Sequence, residues 1–245
     1  MARAQCKLFF AEESGYPEMP AAPADGATMR WFQSFLAIPG AQRPWMRTYS
    51  IRRHLADRQQ IEIDFVLHGG HGGDGPASSW AATASVGDEL GMVGPAQSHF
   101  RTPANGAWKL FVGDETALPA LGATLESLEP QERAVAVIEV VDAAERQDFA
   151  TLADVTVRWV HRGGPAAGRA DGVLDAVREV EIPDGPVFAW VAGEASLVRT
   201  VRCHLVGERG IDKRAVAFAG YWRVDMAQDD APTDEELAEA GEYVS

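Results

Sequence analysis

Trp108-Lys109-Leu110-Phe111-Val112-Gly113-Asp114-Glu115-Thr116-Ala117-Leu118-Pro119 is the stretch that decides the architecture. Residues 108–112 read as a buried strand. A Gly-Asp-Glu-Thr turn follows, and then Leu118, Leu121, Leu125 and Leu128 recur at helical spacing. Residues 134–141 are a second apolar run of strand length. A strand, a helix and another strand in close succession predict a parallel sheet, because parallel neighbours need a crossover and a helix supplies it. The pattern continues with strands over 156–160 and 187–191. A helix follows over 194–208, with Leu197, Val198, Val201, Leu205 and Val206 on one face, and a last strand spans 215–219.

Upstream the pattern differs. Residues 7–10, 47–52, 61–67 and 90–93 are short strand-like runs separated by Gly, Pro and Asp clusters, so 1–105 reads as β-rich. Residues 11–28 hold Gly15, Pro17, Pro20, Pro23 and Gly26 and read as a long loop. Asn105-Gly106 is a turn dipeptide and the expected boundary between a first domain, 1–105, and a second, 106–223. Residues 224–245 contain eight acids and no Lys or Arg. They read as an acidic tail, or as a short helix over 234–243 that Thr233 and Glu236 would cap.

A chain of 245 residues with 46% hydrophobic and 24% charged residues has ordinary globular composition. No apolar run is long enough to span a bilayer, and the start lacks the apolar core of a signal peptide. Two cysteines, Cys6 and Cys203, suggest neither a disulfide framework nor a metal knuckle, which fits a cytoplasmic protein. The net charge of −14 argues against nucleic acid as a partner. Residues 1–60, however, carry eight Lys/Arg against five acids, which suggests a local anion site in an acidic protein.

Several groups could carry chemistry. On a strand, Arg47 and Tyr49 project to one face and Ser50 to the other, offering a cation, an aromatic surface and a hydroxyl within four residues. Gly69-Gly70-His71-Gly72-Gly73-Asp74-Gly75-Pro76 feeds Ala77-Ser78-Ser79-Trp80. Such a helix start presents free backbone N–H groups and a positive dipole end to an anion such as pyrophosphate, although glycine richness alone also describes a flexible hairpin loop. His68 and His71 have an H-x-x-H spacing, but no further ligand is evident and no metal is expected there. Gly113-Asp114-Glu115-Thr116-Ala117 follows a strand and precedes a helix, where open α/β sheets bind nucleotides, although it is not a G-x-G-x-x-G fingerprint. Ala192-Gly193-Glu194 repeats the arrangement after a later strand.

Taken in order, Arg47-Thr48-Tyr49-Ser50, Asp64-Phe65-Val66-Leu67-His68, Gly75-Pro76-Ala77-Ser78, Gly87-Asp88-Glu89-Leu90, Gly113 to Pro119 and Gly220-Tyr221-Trp222-Arg223 resemble the siderophore-interacting proteins. These are flavin-dependent ferric-siderophore reductases of the ferredoxin-reductase superfamily. The resemblance extends from Lys7 to Arg223. It implies an α+β two-domain protein. An N-terminal antiparallel flavin-binding β-barrel lacking its first strands would precede a parallel-sheet α/β nicotinamide-binding domain. Either the true start lies upstream, or the barrel is open with an unpaired edge.

The resemblance also implies electron transfer from NAD(P)H through FAD to a ferric siderophore, with iron released as Fe(II) and no general acid or base required. Tyr49 and Ser50 would set the flavin ring. Arg47, with Gly75, Ala77, Ser78 and Ser79, would hold the pyrophosphate, and Thr48 and Trp80 complete that set. Asp64, Val66 and His68 would line the adenine or ribose side. Asp114, Glu115, Thr116, Ala117 and Pro119, with Gly193 and Glu194, would line the nicotinamide side. Lys7, Trp222 and Arg223 would meet the anionic iron chelate. The sequence departs from the family pattern in three places: a His-Gly-Gly insertion in the glycine loop, Ala96 where relatives carry Arg, and Val224-Asp225-Met226 where relatives are basic. The last two leave room for a less charged chelate. Glu139 and Asp142 would favour an unphosphorylated ribose, whereas Arg146 and Arg162 would receive a 2′-phosphate. A reductase with another acceptor, such as quinone or free flavin, and a non-catalytic siderophore-binding protein are the alternatives.

Overall fold

A computed structural model of the chain describes residues 4–11, 16–21, 28–67, 75–97, 106–163, 168, 171–224 and 226. Two separate sheets organise them. The first is antiparallel, in the order β2–β1–β5, from β1 (Ala4–Phe10), β2 (Trp45–Ser50) and β5 (Gly91–Gln97). A short hairpin of β3 (Arg53–Leu55) and β4 (Gln60–Glu62) stands beside it. Among the described residues this is a three-stranded sheet and a hairpin. The strand expected over 61–67 is laddered only to Glu62, and residues 63–67 lie outside any strand.

Helix α1 (Thr28–Leu36) begins where the loop expected over 11–28 ends, in a stretch for which the sequence suggests no element. Its reason is tertiary. Trp31 and Phe35, one turn apart, stack at 5.8 Å and set their edges against Phe9 at 5.5 and 5.0 Å. The Trp31 indole N–H donates to the Pro20 carbonyl at 2.9 Å, which ties Pro20 to the helix. Helix α2 (Pro76–Thr83) starts with a proline in its first turn, where the missing N–H costs nothing, and buries Ala77 against the sheet.

The second sheet is parallel, with five strands in the order β10–β9–β6–β7–β8. The strands are β6 (Trp108–Gly113), β7 (Arg133–Val140), β8 (Asp154–His161), β9 (Val187–Glu194) and β10 (Val216–Trp222). Both faces are covered, which is why the inner strands β6, β7 and β9 are largely continuous apolar runs, whereas the edge strand β8 alternates. Helix α3 (Leu118–Leu125) packs Leu118, Leu121 and Leu125 on one face with Phe111, Ile138 and Trp190. Helices α4 (Asp171–Arg178) and α5 (Ala195–Cys203) cover the other with Val173, Val177, Leu197, Val198 and Val201. Helix α4 is not evident in the sequence; only Val173 and Val177 of its eight residues are buried, too short a pattern to stand out. The helix expected over 194–208 is α5, which widens into one π-helical turn at His204–Glu208. The chain order reverses between β6 and β9, and that reversal places a crevice at their carboxyl ends.

Candidate functional site

The carboxyl ends of β6, β9 and β10 meet at one buried side chain. Asp114 follows β6 directly and is 2% exposed. Its Oδ1 accepts from the Thr116 N–H at 2.9 Å and from the Thr116 hydroxyl. Its Oδ2 accepts from the Glu194 N–H at 2.8 Å and from the Trp222 indole N–H at 2.9 Å. Burial raises the Asp114 pKa, and the donors from Thr116, Trp222 and Glu194 oppose that rise. Glu194 in turn caps α5, accepting from the N–H groups of Ser196 at 2.6 Å and Leu197 at 3.0 Å, and from the Ser196 hydroxyl. Asp114 and Glu194 therefore face the protein's own donors and shape the two turns of the crevice.

Two glycines make that approach possible. Gly193 sits at φ +140°, and a Cβ there would lie 2.6 Å from Asp114 Oδ2. A Cβ on Gly113 would lie 2.8 Å from the Ala192 carbonyl oxygen.

A second charged group lies at the ends of β7 and β8. Arg162 donates to Glu115 at 2.6 Å and stands 3.7 Å from Glu139 Oε1, an atom without a hydrogen-bond partner. Glu139 is 3% exposed, and burial pushes its pKa up to about 7 against the opposing pull of Arg162. The folded protein thus holds the Glu139 proton across a window in which the unfolded chain, titrating near 4.5, has released it. Stability drains away as pH rises from about 4.5 through about 7, by about 3 kcal/mol for a shift of this size. E139Q removes the titration and should flatten the fall of Tm over that interval relative to wild type. Parallel pH profiles of the two proteins would contradict this assignment.

On the antiparallel sheet, Tyr49 belongs to an aromatic chain. Its ring lies 4.5 Å from Phe65, which is 5.8 Å from Trp80 of α2, which is 5.8 Å from Phe10. Burial pushes the Tyr49 phenol up to about 12, with Arg47 opposing. The Arg47 guanidinium donates to the Met46 carbonyl at 2.8 Å and lies 5.6 Å over Trp45. Gly75 offers α2 no side-chain cap, and the Ser78 hydroxyl ties the start of the helix to the Val66 carbonyl at 3.1 Å. Asp64 and Val66 are half-buried just before, whereas His68 lies outside the described residues. An aromatic surface, an arginine and a helix start beside one small sheet suit a dinucleotide with a flat ring and a pyrophosphate. Lys7 donates to Thr48 Oγ1 at 3.3 Å and lies 6.0 Å from the Phe32 ring, with its pKa lowered by burial.

The two sheets are joined across this region. The Tyr221 hydroxyl is hydrogen-bonded to Ser50 and accepts from Gln5 at 3.4 Å. Arg52 makes a bidentate pair with Glu126, just after α3, with both bonds at 2.7 Å. Neither Arg52, Glu126 nor Tyr221 stands out in the sequence as a site residue. The available signal was Arg52 itself, an arginine two positions after Ser50 on an extended run. Thr116, Ala117 and Pro119 open α3 beneath the crevice, and Arg223 follows Trp222 at the end of β10. Among the described residues no group of three or more His, Cys, Asp or Glu could hold a metal ion, and the His68/His71 spacing lies outside them.

An antiparallel sheet followed by a doubly wound parallel sheet is the fold of the ferredoxin-reductase-like class. Within that class, residues 2–99 match the siderophore-interacting FAD-binding domain and residues 106–225 match the siderophore-interacting protein family. The chain belongs to the siderophore-interacting protein family. It is 38% identical over 199 residues to an uncharacterized protein of Mycobacterium tuberculosis, covering 78% of this chain and 69% of that one. It is 30% identical over 222 residues to the NADPH-dependent ferric-chelate reductase of Escherichia coli, covering 88% and 78%. The crystal structure of a siderophore utilization protein from T. fusca superposes with a TM-score of 0.75 at 34% identity, covering 92% of this chain and 81% of that one.

Proposed function

We propose that the protein is a cytoplasmic reductase that binds FAD on the Tyr49 face, takes a hydride from NAD(P)H in the β6/β9 crevice, and passes electrons to a ferric siderophore, releasing Fe(II). The observation that carries this reading is the union of the two sites at Tyr221 and Ser50, which sets the crevice beside the strand that bears Tyr49. One hydride carries two electrons and each Fe(III) accepts one, so one nicotinamide reduces two ferric chelates. FAD, when bound, converts that two-electron donation into single-electron deliveries.

The chain's own residues supply orientation and charge. Tyr49 gives the ring a surface, with Ser50 on the opposite side of the strand. Arg47 and the start of α2, with Gly75, Ala77, Ser78 and Ser79, meet the pyrophosphate, while Thr48 and Trp80 flank it. Asp64 and Val66 face the adenosine end. Glu115, Thr116, Ala117, Pro119 and Gly193 line the nicotinamide crevice, and Asp114 and Glu194 hold its two turns. Lys7, Trp222 and Arg223 attract the anionic chelate. The family to which the chain belongs and the ferric-chelate reductase of Escherichia coli support the reading.

Visible spectra recorded after adding FAD and desalting test it. Retained flavin bands are expected, and a colourless protein would refute the reading. For the donor, Arg162 is engaged by Glu115, whereas the Arg146 Nε–H donates to His161 Nε2 at 3.0 Å on the exposed outer edge. Arg146 is thus the cation placed to meet a 2′-phosphate. R146A should lower kcat/KM for NADPH by about tenfold, the loss of one charge-assisted hydrogen bond, and leave NADH nearly unchanged. Equal losses with both donors would remove Arg146 from that role.

A further inference from the structure

The extended chain from Tyr49 to Arg52 serves two partners. Tyr49 and Ile51 belong to the apolar cluster of the antiparallel sheet, whereas Ser50 and Arg52, on the alternate positions, reach the other sheet. Ser50 meets Tyr221. Arg52 meets Glu126 with two parallel bonds at 2.7 Å, and the two side chains are 7% and 18% exposed. Arg53 adds a weaker contact to the same carboxylate at 3.7 Å. The guanidinium holds the Glu126 pKa down. It also lies flat on the backbone of α3, since a Cβ on Gly122 would sit 2.8 Å from Arg52 Cζ and Nε. A planar bidentate pair fixes both distance and orientation, which a single exposed ion pair does not.

We infer that Arg52 and Glu126, seated on Gly122, are positioning residues that set the separation between the flavin ring and the nicotinamide. This rests on the flavin-reductase reading above. Hydride transfer needs the reacting atoms about 3–3.5 Å apart, and a misplacement of about 1 Å costs about 100-fold in rate. Residues 49–52 place the ring surface and the docking contact on opposite sides of one stretch of backbone. A shift of the Arg52 contact therefore moves Tyr49 relative to the β6/β9 crevice with no ligand contact changed.

The test is anaerobic stopped-flow reduction of FAD-loaded wild type, R52K, E126Q and E126D by saturating NADPH. FAD retention, Tm and the Kd of NADP+ are measured on the same samples. E126Q keeps the volume and loses the charge, and should reduce its flavin about 10- to 100-fold more slowly with FAD retained and the NADP+ Kd within about threefold of wild type. E126D should recover part of the rate, because it restores the carboxylate. G122A pushes the guanidinium away from the other side and should slow reduction in the same way, so the inference stays testable if R52K does not fold. A purely structural pair would lower Tm in E126Q while leaving the saturated rate within about threefold of wild type, and that result overturns the inference. Wild-type protein that takes up no flavin overturns the reductase reading and this inference with it. A wild type that is reduced normally beside an unimpaired E126Q overturns the inference alone.

Discussion

G193A should strongly destabilise the crevice. Gly193 lies at φ +140°, a region that L residues enter at a cost of about 1–3 kcal/mol. The added Cβ would also stand 2.6 Å from Asp114 Oδ2 and 2.7 Å from its Cγ, so the carboxylate must leave its place. Leaving it strands the Glu194 N–H and the Trp222 indole N–H, each a donor whose loss inside the protein costs about 1–3 kcal/mol. The expected sum is about 4 kcal/mol, a fall in Tm of about 10 °C for a chain of this length. Nicotinamide-driven flavin reduction should fall by about 100-fold or more, while FAD remains on the other sheet. A G193A protein with wild-type Tm and rate would show that the Asp114 contact is not needed.

The second large effect is expected from D114N. Asp114 accepts on both oxygens, from Thr116 on one side and from Glu194 and Trp222 on the other. An amide has only one acceptor oxygen. Its NH2 group must therefore face either the Thr116 N–H or the pair from Glu194 and Trp222, and whichever it faces loses its bond. The cost is about 2–3 kcal/mol, measured as a lower Tm and a weakened NADP+ Kd. The two substitutions should not add, because both disturb the same carboxylate. In the G193A/D114A double variant the methyl meets no carboxylate, and the loss should fall short of the sum of the single losses by about 1 kcal/mol or more. Strict additivity would mean that Gly193 and Asp114 act separately.

The parallel sheet is legible in the sequence because its strands are buried on both faces and its helices carry several apolar positions each, as with Leu118, Leu121 and Leu125. The antiparallel sheet is legible in outline: β1, β2 and β5 fall on the expected runs. Helix α1 is not, although Trp31, Phe32, Phe35 and Leu36 recur at helical spacing; the pattern is only nine residues long and follows a proline- and glycine-rich stretch. The candidate site shows the same division. Asp114, Glu194, Gly193 and Trp222 each attract notice alone, as residues at strand ends or beside a family motif. Their convergence joins positions 108 residues apart, as with the Trp222 bond to Asp114, and no local pattern encodes it. The same holds for Arg52 and Glu126, 74 residues apart, and it explains why the contact that joins the sheets escapes a reading by motif.

Reduction of a ferric siderophore is measured directly in an anaerobic assay of FAD-loaded protein with NADPH, a ferric siderophore and a ligand that traps Fe(II). Fe(II) is expected at two equivalents for each NADPH consumed, and only when FAD is bound. Flavin that is reduced by NADPH but delivers no electrons to the ferric chelate would contradict the proposed function.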